Sequence, residues 1–295
     1  MPLSVSNTVT DSTGKELLVY GTDEFPIAFY LDDLDIVDTP WHWHPEFELV
    51  TVVKGSEEVS AGGVTAVLKK GDGMFVNSGV LHSAVPLESG SVQHAMVFNP
   101  YVLGDAASIY YRKYIGPLMN DHSFPSMILD HRVDWQNEIL THAETAWNAG
   151  AYDSTGSELT VRNALSFVLL ELLNHSEGNR GTEDYSFRDD ERIKHMLRYI
   201  ELNFREEITL EQIAQSAGIS VSEALRCFHR TMHTTPIRYL KELRIARACG
   251  MLQNSTLKIN EIAERCGFLD MSYFAKTFRE VKHCTPSKYR KRSLR

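Results

Sequence analysis

ITLEQIAQSAGISVSEALRCFHRTMHTTPIRYL, residues 208–240, is followed along the chain by a second version of itself, LKINEIAERCGFLDMSYFAKTFREVKHCTPSKYR, at residues 257–290. The landmarks that recur 49 residues later are Ile213-Ala214 as Ile262-Ala263 and Gly218 as Gly267. The landmarks that recur 50 residues later are Phe228 as Phe278, Thr235-Pro236 as Thr285-Pro286, and Tyr239 as Tyr289. One inserted residue in the second copy accounts for the change of offset. This part of the chain therefore contains a doubled module.

Each copy is typical of a helix-turn-helix motif, at about 208–231 and 257–281. Gly218 and Gly267 stand in the turns, where a residue that tolerates positive φ lets the second helix cross the first steeply. The second helices are predicted at about Val221–Thr231 and Met271–Val281. In such helices the outward positions meet base edges, and here they hold Ser222, Arg226, Arg230, Ser272, Lys276 and Arg279. For each of them a phosphate contact or a solvated face is the alternative to base reading.

Between the copies, PIRYLKELRIARACGMLQNS predicts one helix of about five turns that begins at a proline. Its length of ~30 Å is close to the ~34 Å between successive major-groove faces, so one chain can place two helices in adjacent grooves. Charge supports this interpretation. Residues 188–295 carry 21 Lys and Arg against 13 Asp and Glu, a net charge of +8, which leaves −17 for residues 1–187. The asymmetry predicts a C-terminal module for a polyanion.

On these motifs, residues 188–295 resemble the DNA-binding domain of the arabinose-regulator (AraC/XylS) family of bacterial transcription factors. Further landmarks are RIARACGML at 244–252 and TPSKYR at 285–290. The resemblance implies a regulator that binds promoter DNA and contacts RNA polymerase. Three positions depart from the family pattern. Glu223-Ala224 stands where an aromatic-leucine pair is usual, and Lys276 stands where arginine is frequent, which keeps the charge but loses bidentate geometry.

In the N-terminal part, the spacing of apolar residues changes twice along the chain. From Leu17 to about Val97, short apolar strands separated by glycines predict an all-β barrel or sandwich, assigned to residues 1–105. Residues 106–176 carry apolar side chains three or four apart and predict accessory helices. The most apolar of these helices, within 157–176, packs on the barrel or forms a homodimer interface, and the sequence leaves both open. Residues 177–187 are polar and glycine-containing, and we interpret them as a linker.

The stretch WHWHPEFEL at 41–49 places His42, His44 and Glu48 in one segment that is predicted to be extended. Side chains two apart on a strand share a face, so two imidazoles and a carboxylate are expected to point the same way. Such a set suits a divalent transition metal. The alternative is a histidine hydrogen-bonded within a barrel, or a polar lining for a ligand.

Residues 41–82 resemble the cupin family of small β-barrels, through His42-x-His44-x3-Glu48-x6-Gly55 followed by Gly71, Gly79 and His82. Asn77 stands where proline is usual. The resemblance implies a metal set of His42, His44, Glu48 and His82, and it also implies a small-molecule pocket, because regulators of this kind use the barrel without metal. The effector-binding residues are then His42, His44, Glu46, Glu48 and His82, and a sugar or other small polar metabolite is the expected effector.

Composition is that of a soluble cytoplasmic chain, with 43% hydrophobic residues and no apolar run near the ~18 residues of a membrane span. The four cysteines lack CxxC spacing and are expected to be reduced and buried. We therefore predict a homodimeric regulator, not an enzyme, that needs no cofactor and is controlled by an effector. Two alternatives stay open, a metal-dependent cupin enzyme with a DNA-binding tail and a constitutive regulator whose barrel only dimerises.

Overall fold

The computed structural model describes residues 3–6, 8–37, 39–153, 155–176 and 187–293. The chain divides into two compact units between Asp190 and Glu191. The strands of the first unit are β1 Ile27–Asp33, β2 Thr39–His42, β3 Phe47–Lys54, β4 Ser56–Ala61, β5 Val64–Lys69, β6 Gly73–Val76, β7 His82–Pro86, β8 Val92–Phe98 and β9 Ser126–Leu129. Its helices are α1 Gly116–Met119, α2 Asp134–Ala151 and α3 Ser157–His175. The predicted linker, 177–187, lies outside the described residues except for Phe187.

Among the described residues, the strands form two antiparallel sheets in the orders β1-β8-β3-β6-β9 and β2-β7-β4-β5. Side chains alternate along each strand, so the first sheet has two distinct faces. Phe29, Phe47 and Phe75 on one face pack in a single buried cluster with Trp147 of α2 and Leu165 of α3. This arrangement confirms the predicted all-β barrel with accessory helices.

The opposite face of that sheet lines the inside of the barrel. Toward one end, Val52 and Met74 join Val59 of β4 and Leu68 of β5 in an apolar cluster that closes the two sheets on each other. Toward the other end, β1, β3 and β8 contribute the buried polar side chains of Asp32, Glu48 and Gln93, beside a second apolar cluster. The barrel interior therefore has an apolar half and a half that holds the buried polar side chains.

Two local predictions for this unit are wrong. The stretch 41–49 is not one strand, because β2 ends at His42 and β3 begins at Phe47, in the other sheet. Pro45 lies in the connection, where its missing N–H prevents strand pairing. In addition, β9 comes from the region where only helices were expected, and it pairs with β6. Its four residues, SMIL, are too few to separate a strand from a buried helical turn by periodicity.

Asn77, the departure from the cupin pattern, has a structural role. Its side chain is buried, and its Nδ2 donates hydrogen bonds to the carbonyl oxygens of Leu118 at 2.8 Å and Phe124 at 2.9 Å. A proline has no side-chain donor and cannot make these bonds. Asn77 therefore fastens the segment before β9 to the barrel.

The helices of the C-terminal part are α4 Phe187–Asn203, α5 Leu210–Ser216, α6 Val221–Met232, α7 Pro236–Asn254, α8 Ile259–Arg265, α9 Met271–Lys282 and α10 Pro286–Ser293. This all-helical arrangement confirms the fold class predicted for the C-terminal half. Thr209 begins α5 with a capping box to Gln212, and Ser220 and Asp270 cap α6 and α9. The four cysteines are free and buried, as expected. None of the helices within the described ranges is long and apolar enough to cross a membrane.

The two helix-turn-helix motifs, α5-α6 and α8-α9, are confirmed, but their turns differ in crowding. Both Gly218 and Gly267 have positive φ, of 66° and 79°. A Cβ on Gly267 would lie 2.6 Å from the carbonyl oxygen of Phe204, whereas a Cβ on Gly218 would meet no atom within 4 Å. The second motif thus needs glycine for both backbone conformation and space, and the first needs it for conformation alone.

Candidate functional site

The predicted ligand set comes together in the polar half of the barrel. One ligand atom from each of His42, His44, Glu48 and His82 lies within 4.8 Å of the others, and all four side chains are buried. His42 and His82 face each other across the β2-β7 ladder, with ring centroids 4.1 Å apart. Glu48 enters from the other sheet, and its Oε2 lies 2.8 Å from His82 Nε2 and 3.4 Å from His44 Nε2. The site is therefore built by two sheets facing each other.

Backbone carbonyls fix the orientation of all three imidazoles. Nδ1 of His42 lies 2.8 Å from the carbonyl oxygen of Pro40, Nδ1 of His82 lies 2.8 Å from that of Val80, and Nδ1 of His44 lies 3.3 Å from that of Glu46. A carbonyl only accepts, so each Nδ1 is assigned the proton. The lone pair of a neutral imidazole then lies on Nε2, which points into the site.

This tautomer creates an electrostatic conflict at Glu48. His82 Nε2 and Glu48 Oε2 are both acceptors at 2.8 Å, and both atoms, together with His44 Nε2, are buried without a hydrogen-bond donor among the described residues. Burial opposes a charge on His82, but Glu48 raises its pKa above the ordinary value. Burial and then the neighbouring imidazoles lower the pKa of His42 well below its ordinary value. A proton on His82 or a metal cation between the acceptors resolves the conflict.

The donor set fits a divalent transition metal on chemical grounds. Three imidazole nitrogens and one carboxylate oxygen are ligands for zinc, iron, manganese or nickel. Each histidine donates a hydrogen bond from Nδ1 to a backbone carbonyl, and metal-ligating histidines are usually oriented by such a bond from the nitrogen that does not bind the metal. The buried acceptors without donors are the direct structural sign of this fit.

Sequence reasoning missed a second group of charges beside this set. Glu16, Asp32 and Glu57 are also buried within the barrel, and only Asp32 and Glu57 lie on strands. The residues that line the small cavity next to His42 and Glu48 include Glu16, Asp32, Tyr20, Tyr30 and Gln93. Alternation along β1 and β4 could have placed Asp32 and Glu57 inside, since both share a face with buried apolar residues of their strands. Glu16 lies outside the strands, so alternation along a strand could not have predicted its burial.

Gln93 connects two of these carboxylates. Its Nε2 donates to Asp32 Oδ2 at 3.3 Å, while the other atom of its amide lies 2.9 and 3.1 Å from the carboxylate oxygens of Glu57. The atom that faces Glu57 is the amide oxygen of Gln93, which can only accept a hydrogen bond. A protonated Glu57 carboxyl supplies the donor, and the amide then keeps its orientation with Nε2 toward Asp32. Burial, and then the nearby Glu48 and Asp32, raise the pKa of Glu57 to about 8, which supplies that proton at neutral pH.

Glu46, predicted to bind the effector, does not join the four converging side chains. It lines a wider groove of about 940 Å³ outside the barrel, formed with the segment 18–26 and residues near the start of α3. Its own carbonyl accepts from His44 Nδ1. Burial raises the pKa of Glu46, and His44 and Lys15 oppose the shift. Glu46 therefore contacts His44, but its carboxylate is not among the ligand atoms that converge from His42, His44, Glu48 and His82.

The predicted DNA-reading side chains lie mostly on the surface of the second unit. Ser222 and Arg226 on α6 are exposed, as are Ser272, Lys276 and Arg279 on α9, while Arg230 is half-buried. Beneath them, Phe274 and Phe278 are fully buried in the core of the second motif. The helix between the motifs, α7, has 19 residues, or about 28 Å. The length expected from the sequence is confirmed.

Glu223 is held by two arginines. Arg192 of α4 contacts its Oε1 at 3.0 Å, and Arg226, one turn further along α6, forms a short ion pair with the same oxygen. A carboxylate engaged by two guanidinium groups has fewer free lone pairs for a cytosine amino group. Glu223 instead orients Arg226 at the surface.

Comparison with known proteins covers both units. A model described as the AraC-like ligand binding domain matches residues 26–125, and a model described as a helix-turn-helix domain matches residues 213–292. The uncharacterized HTH-type transcriptional regulator YdeC of Bacillus subtilis is 29% identical over 97% of this chain and 99% of its own length. The HTH-type transcriptional activator RhaR of Mannheimia succiniciproducens is 22% identical over 87% and 88%. A solved AraC-type regulator from Chromobacterium violaceum is 28% identical over 36% of this chain and 94% of its own, with a TM-score of 0.34.

Proposed function

The chain belongs to the AraC family of transcriptional regulators, and from that premise we propose that it binds a promoter through two exposed basic helices and binds its effector inside the barrel. One observation carries the proposal. The chain contains two complete helix-turn-helix motifs joined by one helix of about 28 Å, so a single chain suits two successive major grooves. Contact with chromosomal DNA implies that the protein acts in the cytoplasm.

We assign the reading of bases chiefly to the second motif. Arg279 is exposed on α9 and suits bidentate donation to guanine, while Lys276 and Ser272 suit phosphates or single acceptors. In the first motif, Arg226 shares its charge with Glu223, so α6 contributes less phosphate attraction. We expect operator specificity to come mainly from the half-site under α9.

The partners follow from this role. An activator must touch RNA polymerase, and the relative from Mannheimia succiniciproducens, which is named a transcriptional activator, supports an activating role. The outer side of α3 exposes Leu159, Phe167 and Leu170 by 66%, 53% and 50% of their surface. We propose that this apolar side pairs with a second copy of the chain, because isolated exposed apolar residues are ordinary but a row along one helix marks an interface.

We further propose that His42, His44, Glu48 and His82 hold a divalent transition metal. When bound, such a metal supplies a Lewis acid that fixes an effector donor atom. The carbonyls of Pro40, Val80 and Glu46 hold the imidazoles in place for it. We assign the barrel a binding role and no catalytic one, so an effector should be recovered unchanged after prolonged incubation with the full chain.

Metal content tests the metal site. Full-length protein incubated with excess Zn²⁺, Mn²⁺ or Fe²⁺ and then desalted should retain close to one metal per chain by mass spectrometry. His82→Ala should lose it, and His142→Ala, which removes an imidazole stacked on Phe167, should keep it. Desalted wild-type protein without metal would contradict the assignment.

DNA selection tests the regulator itself. The full-length chain should enrich one sequence from random DNA, and fluorescence anisotropy should then compare Arg279→Ala with Lys70→Ala, an exposed cation of the first unit. Arg279→Ala should weaken binding to the selected site by about 10–100-fold and relax one base position, while Lys70→Ala should change little. No enrichment by the wild-type chain would overturn the proposal.

A further inference from the structure

The two helix-turn-helix motifs of the C-terminal unit share the helix that joins them. Tyr239, in the first half of α7, contacts Phe228 of the first motif, with ring centroids 6.2 Å apart. Cys249 and Leu252, in the second half of α7, are buried in the core of the second motif. A long helix that is held only at its two ends can still curve along its length. By itself, α7 therefore does not fix the angle between the two motifs.

A second contact between the motifs lies away from the axis of α7. The connection between α4 and α5 leads directly into the first motif, and it runs past the turn of the second motif. A Cβ on Gly267 in that turn would lie 2.6 Å from the carbonyl oxygen of Phe204 and 2.9 Å from that of Arg205. Only a residue without a side chain lets the two backbones come this close. The motifs are thus joined at two separate places.

Arg244 of α7 fastens this second contact. Its Nε donates to the carbonyl oxygen of Phe204 at 2.7 Å, and its Nη2 donates to that of Glu206 at 2.7 Å. Its guanidinium carbon also lies 5.7 Å from the ring centre of Phe268, in the turn of the second motif. One guanidinium group therefore binds the backbone before the first motif and an aromatic ring of the second.

The chemistry of this contact selects arginine. Helix α4 ends at Asn203, and the carbonyls at a helix C-terminus lack partners within the helix and carry partial negative charge. A guanidinium presents its donors in a fixed planar fork and can serve two carbonyls at once, whereas an ammonium is a point charge on a flexible stem. One turn further along α7, Arg247 adds an ion pair to Glu201 of α4, with Nη2 3.0 Å from both carboxylate oxygens.

We propose that Arg244 is a positioning residue that fixes the separation and rotation of the two reading helices, so that this regulator selects one spacing between its half-sites. This inference rests on the proposed binding of promoter DNA by both motifs. Each base pair added between the half-sites moves the second one by ~3.4 Å and rotates it by ~35° about the DNA axis. A clamped pair of motifs cannot follow this displacement, whereas a pair joined by α7 alone follows part of it.

The dependence of binding on spacing tests this role. The sequence enriched by the full-length chain should be remade with one or two base pairs inserted between its two conserved blocks, and fluorescence anisotropy should give Kd for each duplex. One inserted base pair should weaken wild-type binding by about 30-fold or more, because one reading helix then loses its base contacts. For Arg244→Gln the same ratio should fall below about 5-fold, and the unaltered duplex should bind about 3–10-fold more weakly, because the motifs are no longer preorganised.

Two further variants complete the comparison. Arg244→Lys keeps the charge but loses the fork, so its ratio should lie between those of wild type and Arg244→Gln. Arg238→Gln is the matched control, because Arg238 is an exposed arginine of the same helix that pairs with Glu242 of α7 itself. This control should keep the wild-type ratio. Thermal unfolding checks that each variant is folded at the assay temperature, and Arg244→Lys decides the question if Arg244→Gln is not.

Three results would overturn the inference. The first is a wild-type ratio in the folded Arg244 variants. The second is an equal weakening of every duplex by Arg244→Gln with a salt slope lower by about one, which is the pattern of a phosphate contact. The third is a wild-type chain that enriches one sequence but is indifferent to spacing, which leaves the proposed regulator intact. Failure of the proposed function is a different result, namely no enriched sequence at all.

Discussion

Glu57→Gln should remove a steep dependence of stability on pH. Glu57 is fully buried on β4, and the pKa of about 8 in the folded chain lies above the value of 4.5 for a free glutamate. Between these two values the unfolded chain loses a proton that the folded chain keeps, so stability falls as pH rises. The difference of the two pKa values corresponds to about 5 kcal/mol at full ionisation. This is an upper bound, because relaxation and water entry reduce the cost of a buried charge.

The amide introduced by Glu57→Gln would donate to the amide oxygen of Gln93 as the protonated acid does, so the variant should keep the contact without a titrating proton. Wild-type protein should lose about 1.4 kcal/mol per pH unit relative to the variant, between the two pKa values. Thermal unfolding of the full-length chain at intervals from pH 5.5 to 8.5 measures this difference. Glu58→Gln, the exposed neighbour on the same strand, is the matched control and should follow wild type. Parallel curves for wild type and Glu57→Gln would refute a raised pKa at this residue.

Other perturbations test the second unit and the barrel wall. Gly267→Ala should destabilise the C-terminal unit by about 3 kcal/mol or more in urea unfolding, and Gly218→Ala by about 1 kcal/mol, because only the former adds a clash to the unfavourable φ; equal losses would contradict this account. Asn77→Ala should cost about 2–4 kcal/mol in the same assay, since two buried carbonyls lose their donor. Glu223→Gln should strengthen DNA binding a few-fold and steepen its salt dependence, because it removes a negative charge and its ion pair with Arg226 from α6, and anisotropy at several salt concentrations measures both.

Much of the C-terminal unit could be read from the sequence because its contacts are local. Helix periodicity, caps and the glycine turns each act within about ten residues, and the repeat presents each of these patterns twice. The ends of α6 and α9 differ from the predicted ones by one residue. The position of Glu223 between two arginines was not predictable, since Arg192 comes from a helix about thirty residues earlier.

For the barrel, the sequence determined the residue types of the site, and only the tertiary structure decided how they meet. His42, His44, Glu48 and His82 converge, but by the facing of two sheets and not by alternation along one strand, because β2 ends at His42 and Pro45 lies in the connection to β3. Glu16, Asp32 and Glu57 are distant in sequence, and their shared burial depends on strand pairings that no local pattern encodes. The segment 41–49 thus identified one wall of the site, and the fold added the buried carboxylates Glu16, Asp32 and Glu57 beside it.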